Sequence, residues 1–325
     1  MTFDLTLSED QRQILDAAHA MLETNYPVER FRDGRAAAPG TALAEFGAFT
    51  LALPEEDGGA GFTIVEEALL HEAIGRHLAG PFSLASPLAV RMALMAGETG
   101  LAASIAAGRT AVCAGVDTAH GALLLEPKGA AHAVIVSDEG IRMTALDGIE
   151  LVTETPMGHG QPLGRARLPS PGGTDERFPV LVPLASLLVS AQLLGVARGA
   201  LELAVSYAGV REQFGRRIGS FQAIKHHCAN MATGIEMLSA QRDMAAIALR
   251  DRRPDAAFQI AALARLAPRI AVLNARLCIQ IHGGIGFSAE ADAHLYLKHA
   301  HVLAALVPAS DLLSLPAPLA PTGKE

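Results

Sequence analysis

The chain begins with apolar residues at the spacing of an α-helix. Ile14, Ala17 and Met21 recur three or four positions apart, which places them on one helical face. Ser8 precedes this run, and Gln11 lies three positions after Ser8, so the pair forms a capping-box pattern. The pattern predicts a helix that begins just after Ser8, and similar helical stretches continue to about residue 109.

The pattern changes between residues 110 and 178. Short runs rich in Val, Ile and Leu, such as residues 131–137 and 149–155, alternate with Gly, Pro and Asp. Such runs are typical of short strands joined by tight turns. We therefore expect a small antiparallel β unit here.

Long helical patterns return after residue 180. Ile224, Met231 and Leu238 lie on one seam, at the spacing of helices that pack in a bundle. Pro268 lies inside a later apolar pattern, where proline is expected to kink or split a helix. The last ten residues are rich in proline and small residues and predict a disordered tail.

These patterns predict a mainly α protein with a small β domain, in the order helices, strands, helices. We expect an N-terminal helical domain over residues 1–109 and a small β domain over residues 110–178. Residues 179–325 are expected to form a C-terminal four-helix bundle that ends in the tail.

Composition and charge narrow the functional classes. The formal net charge of −8 argues against a nucleic-acid partner, because phosphate-binding surfaces need clustered cations. The three cysteines are far apart and show no metal-ligand spacing, so we expect no metal site. The acidic N-terminus does not resemble a signal peptide, and we expect no uncharged apolar run of membrane-spanning length. We therefore expect a cytoplasmic protein without membrane insertion.

Two segments carry candidate chemistry. In the first, Arg211 and Gln213 can donate hydrogen bonds to phosphate oxygens, and Gly215 and Gly219 interrupt the helical period. In the second, residues 280–287 (QIHGGIGF), glycines after a helix would let a ligand approach the backbone. Taken singly, each segment also fits an ordinary helix turn or a glycine cap.

Together, in this order, the two segments resemble the acyl-CoA dehydrogenase family. The first, residues 211–225, is similar to the family pattern R-x-x-F-G-x-x-[IL]-x-x-[FHL]-Q-x-x-[KR], and the second is similar to Q-x-x-G-G-x-G-[FY]. The stretches Leu-Ser-Glu-Asp-Gln at residues 7–11 and Pro-Glu-Glu-Asp-Gly-Gly at residues 54–59 are also similar to that family. The resemblance covers about three quarters of the chain and implies the same order of helices and strands.

The resemblance implies a flavoprotein that removes hydrogen from the α and β carbons of an acyl-CoA thioester. It implies an FAD held between subunits of a dimer or larger oligomer, and an electron-transferring flavoprotein as acceptor. By similarity, Arg211 and Gln213 would reach the pyrophosphate of FAD. The residues expected on the adenosine side are Phe214, Ile218 and Phe221, and those expected at the ADP portion are Gln280, Gly283 and Gly284.

The sequence departs from the family at the catalytic base. The family commonly carries a glutamate some twenty residues after the second motif, and the ungapped register places Val307 there. A valine cannot abstract a proton, so the base remains unassigned. The other carboxylates that we considered are Glu202, Glu212, Asp292 and Asp311.

The β unit departs as well, because it lacks the family stretch Thr-Glu-Pro-x-x-Gly-Ser-Asp that lies near the flavin ring. Thr118, Ser137 and Thr144 are the hydroxyl residues that could replace some of its contacts. Short, divergent bacterial relatives that act on steroid-type CoA thioesters are heteromers whose subunits share the active-site residues unequally. The chain is similar to such subunits, and the helix that contains His294, Lys298, His299 and His301 could face a partner or the CoA phosphates.

Three functions therefore stay open at this point. In the first, the chain performs FAD-dependent acyl-CoA dehydrogenation, alone or as one subunit of a heteromer. Alternatively, it is an inactive assembly subunit that supplies FAD contacts to a related partner. A flavin monooxygenase or oxidase on the same fold is the third reading, since such chemistry needs no α-proton base.

Overall fold

The computed structural model describes residues 6–32, 40–137, 139–154, 162–168 and 177–308. The predicted disordered tail lies outside these residues. Helices come first, strands follow, and helices return, which is the predicted order. The described helices are α1 (Glu9–Asn25), α2 (Thr41–Glu45), α3 (Ile64–Arg76), α4 (Phe82–Met95), α5 (Thr99–Ala106), α6 (Val182–Val210), α7 (Gln222–Arg250), α8 (Ala256–His282) and α9 (Ala293–Ala305).

Helix α1 begins where the capping box predicts. The Ser8 hydroxyl accepts a hydrogen bond from the backbone N–H of Gln11 at 3.2 Å, and the Gln11 side chain accepts from the backbone N–H of Ser8 at 3.0 Å. A second capping box, between Thr63 and Glu66, begins α3. Both caps satisfy backbone donors that a helix start otherwise leaves unpaired.

The β unit is a single sheet in which one strand pairing differs from the prediction. Its six strands are β1 (Val112–Thr118), β2 (Gly121–Leu125), β3 (His132–Ser137), β4 (Gly140–Ala145), β5 (Leu151–Glu154) and β6 (Leu163–Ala166), in the spatial order β4-β3-β1-β2-β6-β5. Four pairings are antiparallel, but β1 and β3 are parallel. The sheet is therefore mixed, and the prediction of a purely antiparallel unit was wrong. Strand periodicity does not encode which edge of β1 the chain returns to after β2.

Helix α6 is the centre of the C-terminal domain. It packs on α3, α7, α8 and α9, and its residues are buried almost all round in its N-terminal half. Gly195 lets α3 approach closely, since a Cβ at this position would lie 1.9 Å from the carbonyl oxygen of Glu72. Helix α8 is continuous through Pro268, so the predicted split does not occur.

Two helical stretches are long and apolar enough to cross a membrane, Pro179–Val210 and Ala256–Phe287. The expectation that no apolar run reaches that length was therefore wrong. The most apolar window of the first stretch is 83% buried inside the protein. A helix that is apolar on all sides is typical of the core of a large helical domain, and α6 occupies that position.

Candidate functional site

The first motif forms the connection between α6 and α7. A two-stranded hairpin, β7 (Glu212–Gln213) and β8 (Arg216–Arg217), crosses the gap. Its two central residues, Phe214 and Gly215, have φ values of 54° and 76°. Two positive φ values in a two-residue loop are the geometry of a tight hairpin, which glycine adopts freely and phenylalanine adopts at a cost. The turn projects the Phe214 side chain outward, where it is 92% exposed.

The second motif ends α8. Gly283 has a φ of 66°, which breaks the helix, and the next turn runs from Gly283 to Phe287. The imidazole of His282 lies 4.1 Å from the ring of Tyr207 on α6, with the two rings stacked. This stack joins the end of α8 to the last turn of α6, so it places the two motifs side by side.

A pocket of about 310 Å³ opens where the two motifs meet. Five of the eight predicted cofactor residues line it, namely Arg211, Gln213, Ile218, Gly283 and Gly284. The other residues that line it are Tyr207, Ile281, His282 and Ile285. We call this the motif pocket.

Three predicted residues lie beside the motif pocket and do not line it. Phe214 is at the tip of the hairpin, and its ring meets the edge of Phe221 at 6.1 Å. The guanidinium of Arg216 lies over the Phe221 ring at 4.1 Å, a cation–π contact. Gln280 is exposed on the last turn of α8. Roles for these residues at a cofactor stay predictions.

The motif pocket offers groups that suit an anionic ligand. Arg211 is exposed, and no carboxylate of the described residues forms an ion pair with it. Gly284 faces open space, since a Cβ there would meet no atom within 4 Å. A free guanidinium next to an open backbone is a common arrangement for binding phosphate oxygens.

Sequence reasoning missed Tyr207 and His282 as parts of this pocket. His282 Nδ1 lies 2.8 Å from the carbonyl oxygen of Cys278, so its proton sits on Nδ1 and donates to that carbonyl. This tautomer leaves Nε2 as an acceptor. The signal was available, because His282 lies inside the second motif and Tyr207 lies one helical turn before Arg211.

Three apolar side chains in or directly before the two motifs are strongly exposed. Val210, which precedes the first motif, is 73% exposed, and Phe214 and Phe287, which belong to the motifs, are 92% and 75% exposed. We call these three residues the apolar rim. Large exposed apolar side chains that are close together mark a surface that a partner or a ligand covers.

None of the candidate bases among the described residues lines the motif pocket. Glu202 accepts a hydrogen bond from Nε of Arg76 at 2.7 Å, in an ion pair on the α3 side of α6. Asp292 accepts from Nε of Arg32 at 2.7 Å. Glu212 is exposed on the hairpin, and Asp311 lies outside the described residues. The positions of Glu202, Asp292 and Glu212 therefore do not identify any of them as the catalytic base.

Val307 lies in a cleft of about 230 Å³ between the end of α9 and the sheet. The cleft also contains Asp117 of β1 and Ser137 of β3. Asp117 is the carboxylate of that cleft, and it accepts a hydrogen bond from the buried Arg142 at 2.9 Å. The position that the ungapped register assigns to the base is therefore apolar and faces the β unit.

The hydroxyl candidates of the β unit are engaged with their own strands. Thr118 donates to the carbonyl oxygen of Gly121 at 2.5 Å, and Ser137 donates to that of Gly140 at 2.7 Å. Thr144 is buried and accepts from Arg142 at 3.1 Å. Ser137 also lines the cleft that contains Val307.

Of the four polar residues of α9 that could face a partner or the CoA phosphates, two do not reach the surface. His294 and His299 are buried, because α9 packs against both α6 and α8. Burial lowers the pKa of His299 to about 3, so its imidazole stays neutral. Lys298 is partly exposed and His301 is exposed, and these two remain available at the surface.

Comparison with known proteins identifies the family. Residues 8–107 match the family model of the acyl-CoA dehydrogenase N-terminal domain, and residues 184–306 match that of the acyl-CoA dehydrogenase C-terminal domain. Acyl-CoA dehydrogenase FadE34 of Mycobacterium tuberculosis is 36% identical over an alignment of 287 positions that covers 80% of this chain and 38% of FadE34. The chain thus spans well under half of that relative.

Two further matches agree. Acyl-CoA dehydrogenase IpdE2 of Mycobacterium tuberculosis is 34% identical over an alignment of 278 positions that covers 81% of this chain and 80% of IpdE2. The ChsE4–ChsE5 complex from the same organism has a chain of the same fold, with a TM-score of 0.74 and 21% identity over 93% of this chain and 94% of that one. By its sequence and its fold, this chain belongs to the acyl-CoA dehydrogenase family.

Proposed function

We propose that the chain takes part in FAD-dependent α,β-dehydrogenation of an acyl-CoA thioester, as one subunit of a cytoplasmic heteromer with a related chain. The observation that carries the proposal is the motif pocket. Two segments that are about 60 residues apart in sequence meet there and present Arg211, Gln213 and the backbone at Gly284 to one space. Together with family membership, this favours a cofactor-binding role for the pocket.

The residues of the motif pocket fit the ADP end of FAD. The Arg211 guanidinium and the Gln213 amide can donate to diphosphate oxygens, and the open backbone at Gly284 permits close approach. Nε2 of His282 can accept from a hydroxyl or an amine. Bound FAD would supply the hydride acceptor, and these residues of the chain would hold its far end.

The apolar rim supports assembly with a second subunit. Val210, Phe214 and Phe287 lie in or directly before the motifs that form the pocket and are mostly exposed in the single chain. Covering them would bury apolar surface and at the same time close the pocket over a ligand. The likeness of the chain to a subunit of the ChsE4–ChsE5 complex supports a related, non-identical partner.

Val307 supports a division of roles between subunits. The ungapped register puts this apolar side chain at the position of the base, and Glu202 and Asp292 are held in ion pairs. We therefore expect the partner to supply the base of at least one active site. The same observation favours a second candidate, an assembly subunit that performs no chemistry and only holds the ADP end of FAD.

The test is the visible spectrum of the chain, purified alone and together with a related acyl-CoA dehydrogenase chain of its source organism. We expect flavin absorbance to co-purify with the pair and to bleach anaerobically with octanoyl-CoA or a steroid side-chain CoA thioester. Flavin without bleaching by any thioester would favour the assembly subunit. A pair that retains no flavin after reconstitution with FAD would contradict both candidates.

A further inference from the structure

A second cavity lies at the junction of the N-terminal helices and the sheet. Its volume is about 300 Å³, and it shares no lining residue with the motif pocket. Phe49, Phe82 and Val112 supply apolar walls, and the polar groups are few. The polar side chains that line it are Ser86, Thr110, Glu126 and Lys128. Apolar walls with a few convergent polar groups are typical of small-molecule sites.

Glu126 is held in an unusual backbone conformation beside this cavity. Its φ is 56°, in the left-handed region that non-glycine residues seldom adopt. Its backbone N–H donates to the carbonyl oxygen of Pro162 at 2.8 Å, which ties the residue to the chain before β6. Gly80 lies against this carboxyl group, since a Cβ there would be 2.7 Å from Oε2 of Glu126, and its φ of 112° is one that favours glycine. Strained residues that the fold holds in place are concentrated at functional sites.

The carboxyl group of Glu126 has an unused hydrogen-bonding position. Its Oε1 is enclosed and has no hydrogen-bond partner. Arg30 is the nearby cation; its Nη1 and Nη2 donate to backbone carbonyl oxygens of Tyr26, Pro27, His77 and Leu78, and its Nε, like Oε1 of Glu126, is buried without a hydrogen-bond partner. A buried polar atom without a partner costs free energy, so the folded chain leaves this carboxyl group in the cavity wall incompletely satisfied.

Burial keeps this carboxyl group protonated near neutral pH. Desolvation raises the pKa of Glu126 to about 8, and the positive charge of Arg30 only partly opposes the rise. The other titratable groups around it are Tyr26 of α1, Cys113 of β1 and Lys128 after β2. Burial raises the pKa of Tyr26 and of Cys113 to about 12, so both remain neutral. Below pH 8, Glu126 therefore offers a hydrogen-bond donor.

We propose that this cavity binds a compact apolar molecule with one carbonyl or carboxylate oxygen, which accepts a hydrogen bond from the carboxyl group of Glu126. The apolar body would lie against Phe49, Phe82 and Val112. Lys128 is exposed at the cavity, where its ammonium suits an anionic group that extends into solvent. The chemistry fits the acyl end of a thioester or a free acid or ketone. The proposal does not depend on FAD binding at the motif pocket.

The test is calorimetric titration of the full chain with octanoate, 2-octanone and octanoyl-CoA at pH 7 and pH 9. The protonated fraction of a carboxyl group with a pKa of about 8 falls about tenfold over this interval. We expect the affinity for octanoate to fall by roughly that factor in the wild type. Glu126→Gln keeps a hydrogen-bond donor at both pH values and should remove most of this fall in affinity. Glu150 is an exposed carboxylate of the same β unit, so the control Glu150→Gln should show the same fall as the wild type.

The results of the titrations distinguish the classes of ligand and show which results contradict the proposal. If octanoate and 2-octanone bind, the site takes free acids or ketones. If only octanoyl-CoA binds, with the same dependence on Glu126, the cavity takes the acyl end of a thioester. If none of the three binds at pH 7, or if the fall in affinity persists in Glu126→Gln, the proposal is wrong. Circular dichroism of each variant verifies that it is folded.

Discussion

Replacing Gly284 by alanine tests whether glycine is required at this position by the fold or by a bound ligand. A Cβ on Gly284 would meet no atom of the protein within 4 Å, and the residue does not have a positive φ. The folded chain alone therefore gives no reason for glycine at this position. Replacing such a glycine by alanine typically stabilises a protein by about 0.4–1 kcal/mol, because it restricts the unfolded chain.

The effect on the cofactor should have the opposite sign. If the ADP end of FAD approaches the backbone at Gly284, an added methyl group occupies its space. Forcing a methyl group into a packed contact costs about 1–3 kcal/mol, which corresponds to roughly a 5- to 150-fold weaker Kd. Gly284→Ala should therefore raise or preserve Tm and weaken FAD binding.

The assay pairs thermal unfolding of the chain with titration of FAD, followed by quenching of flavin fluorescence in the assembled protein. Gly100→Ala is the matched control, since Gly100 on α5 is equally open, has no positive φ and lies far from the motifs in sequence. The control should change Tm slightly and leave the Kd for FAD unchanged. If Gly284→Ala binds FAD within twofold of the wild type, the ligand does not approach the backbone there and the role of Gly284 is wrong.

Three further variants test other parts of the structure. Arg211→Gln should weaken FAD binding roughly 10- to 100-fold and reduce its salt dependence in the same titration, whereas Arg250→Gln, already paired with Asp251 at 2.7 Å, should do neither. Glu126 has its ordinary pKa of 4.5 when unfolded and about 8 when folded, so the folded state holds a proton that the unfolded state loses. The contribution of Glu126 to the free energy of unfolding is present below pH 4.5 and is lost as the pH rises to 8. Urea unfolding should therefore show the free energy of unfolding falling between these pH values. In Glu126→Gln this fall should be smaller. Glu202→Gln should retain anaerobic bleaching by acyl-CoA, since Arg76 holds that carboxylate in an ion pair; abolished bleaching would restore Glu202 as the base.

The order of helices and strands could be predicted because each element carries its own local signal. The capping box at Ser8 and Gln11 fixes the start of α1, and the break at Gly283 fixes the end of α8. The two motifs were recognisable because their residues are close in sequence within each motif. Their meeting in one pocket followed from the resemblance to the family and not from either motif alone.

The features that sequence could not predict depend on contacts between distant elements. The parallel pairing of β1 and β3 depends on the path of the chain after β2, which the alternation of side chains does not encode. The burial of His294 and His299 depends on α9 packing against two helices at once. The enclosed carboxyl group of Glu126 depends on Gly80 and Arg30, which lie in segments remote from it in sequence.

The central claim is that the motif pocket holds the ADP end of an FAD shared with a partner subunit. Gel filtration of the chain, its partner and FAD, with absorbance recorded at 280 and 450 nm, tests it most directly. We expect flavin to co-elute with a complex of both chains and to be lost from that complex in Arg211→Gln. A complex of both chains that carries no flavin, or one that carries it unchanged in Arg211→Gln, would contradict the account.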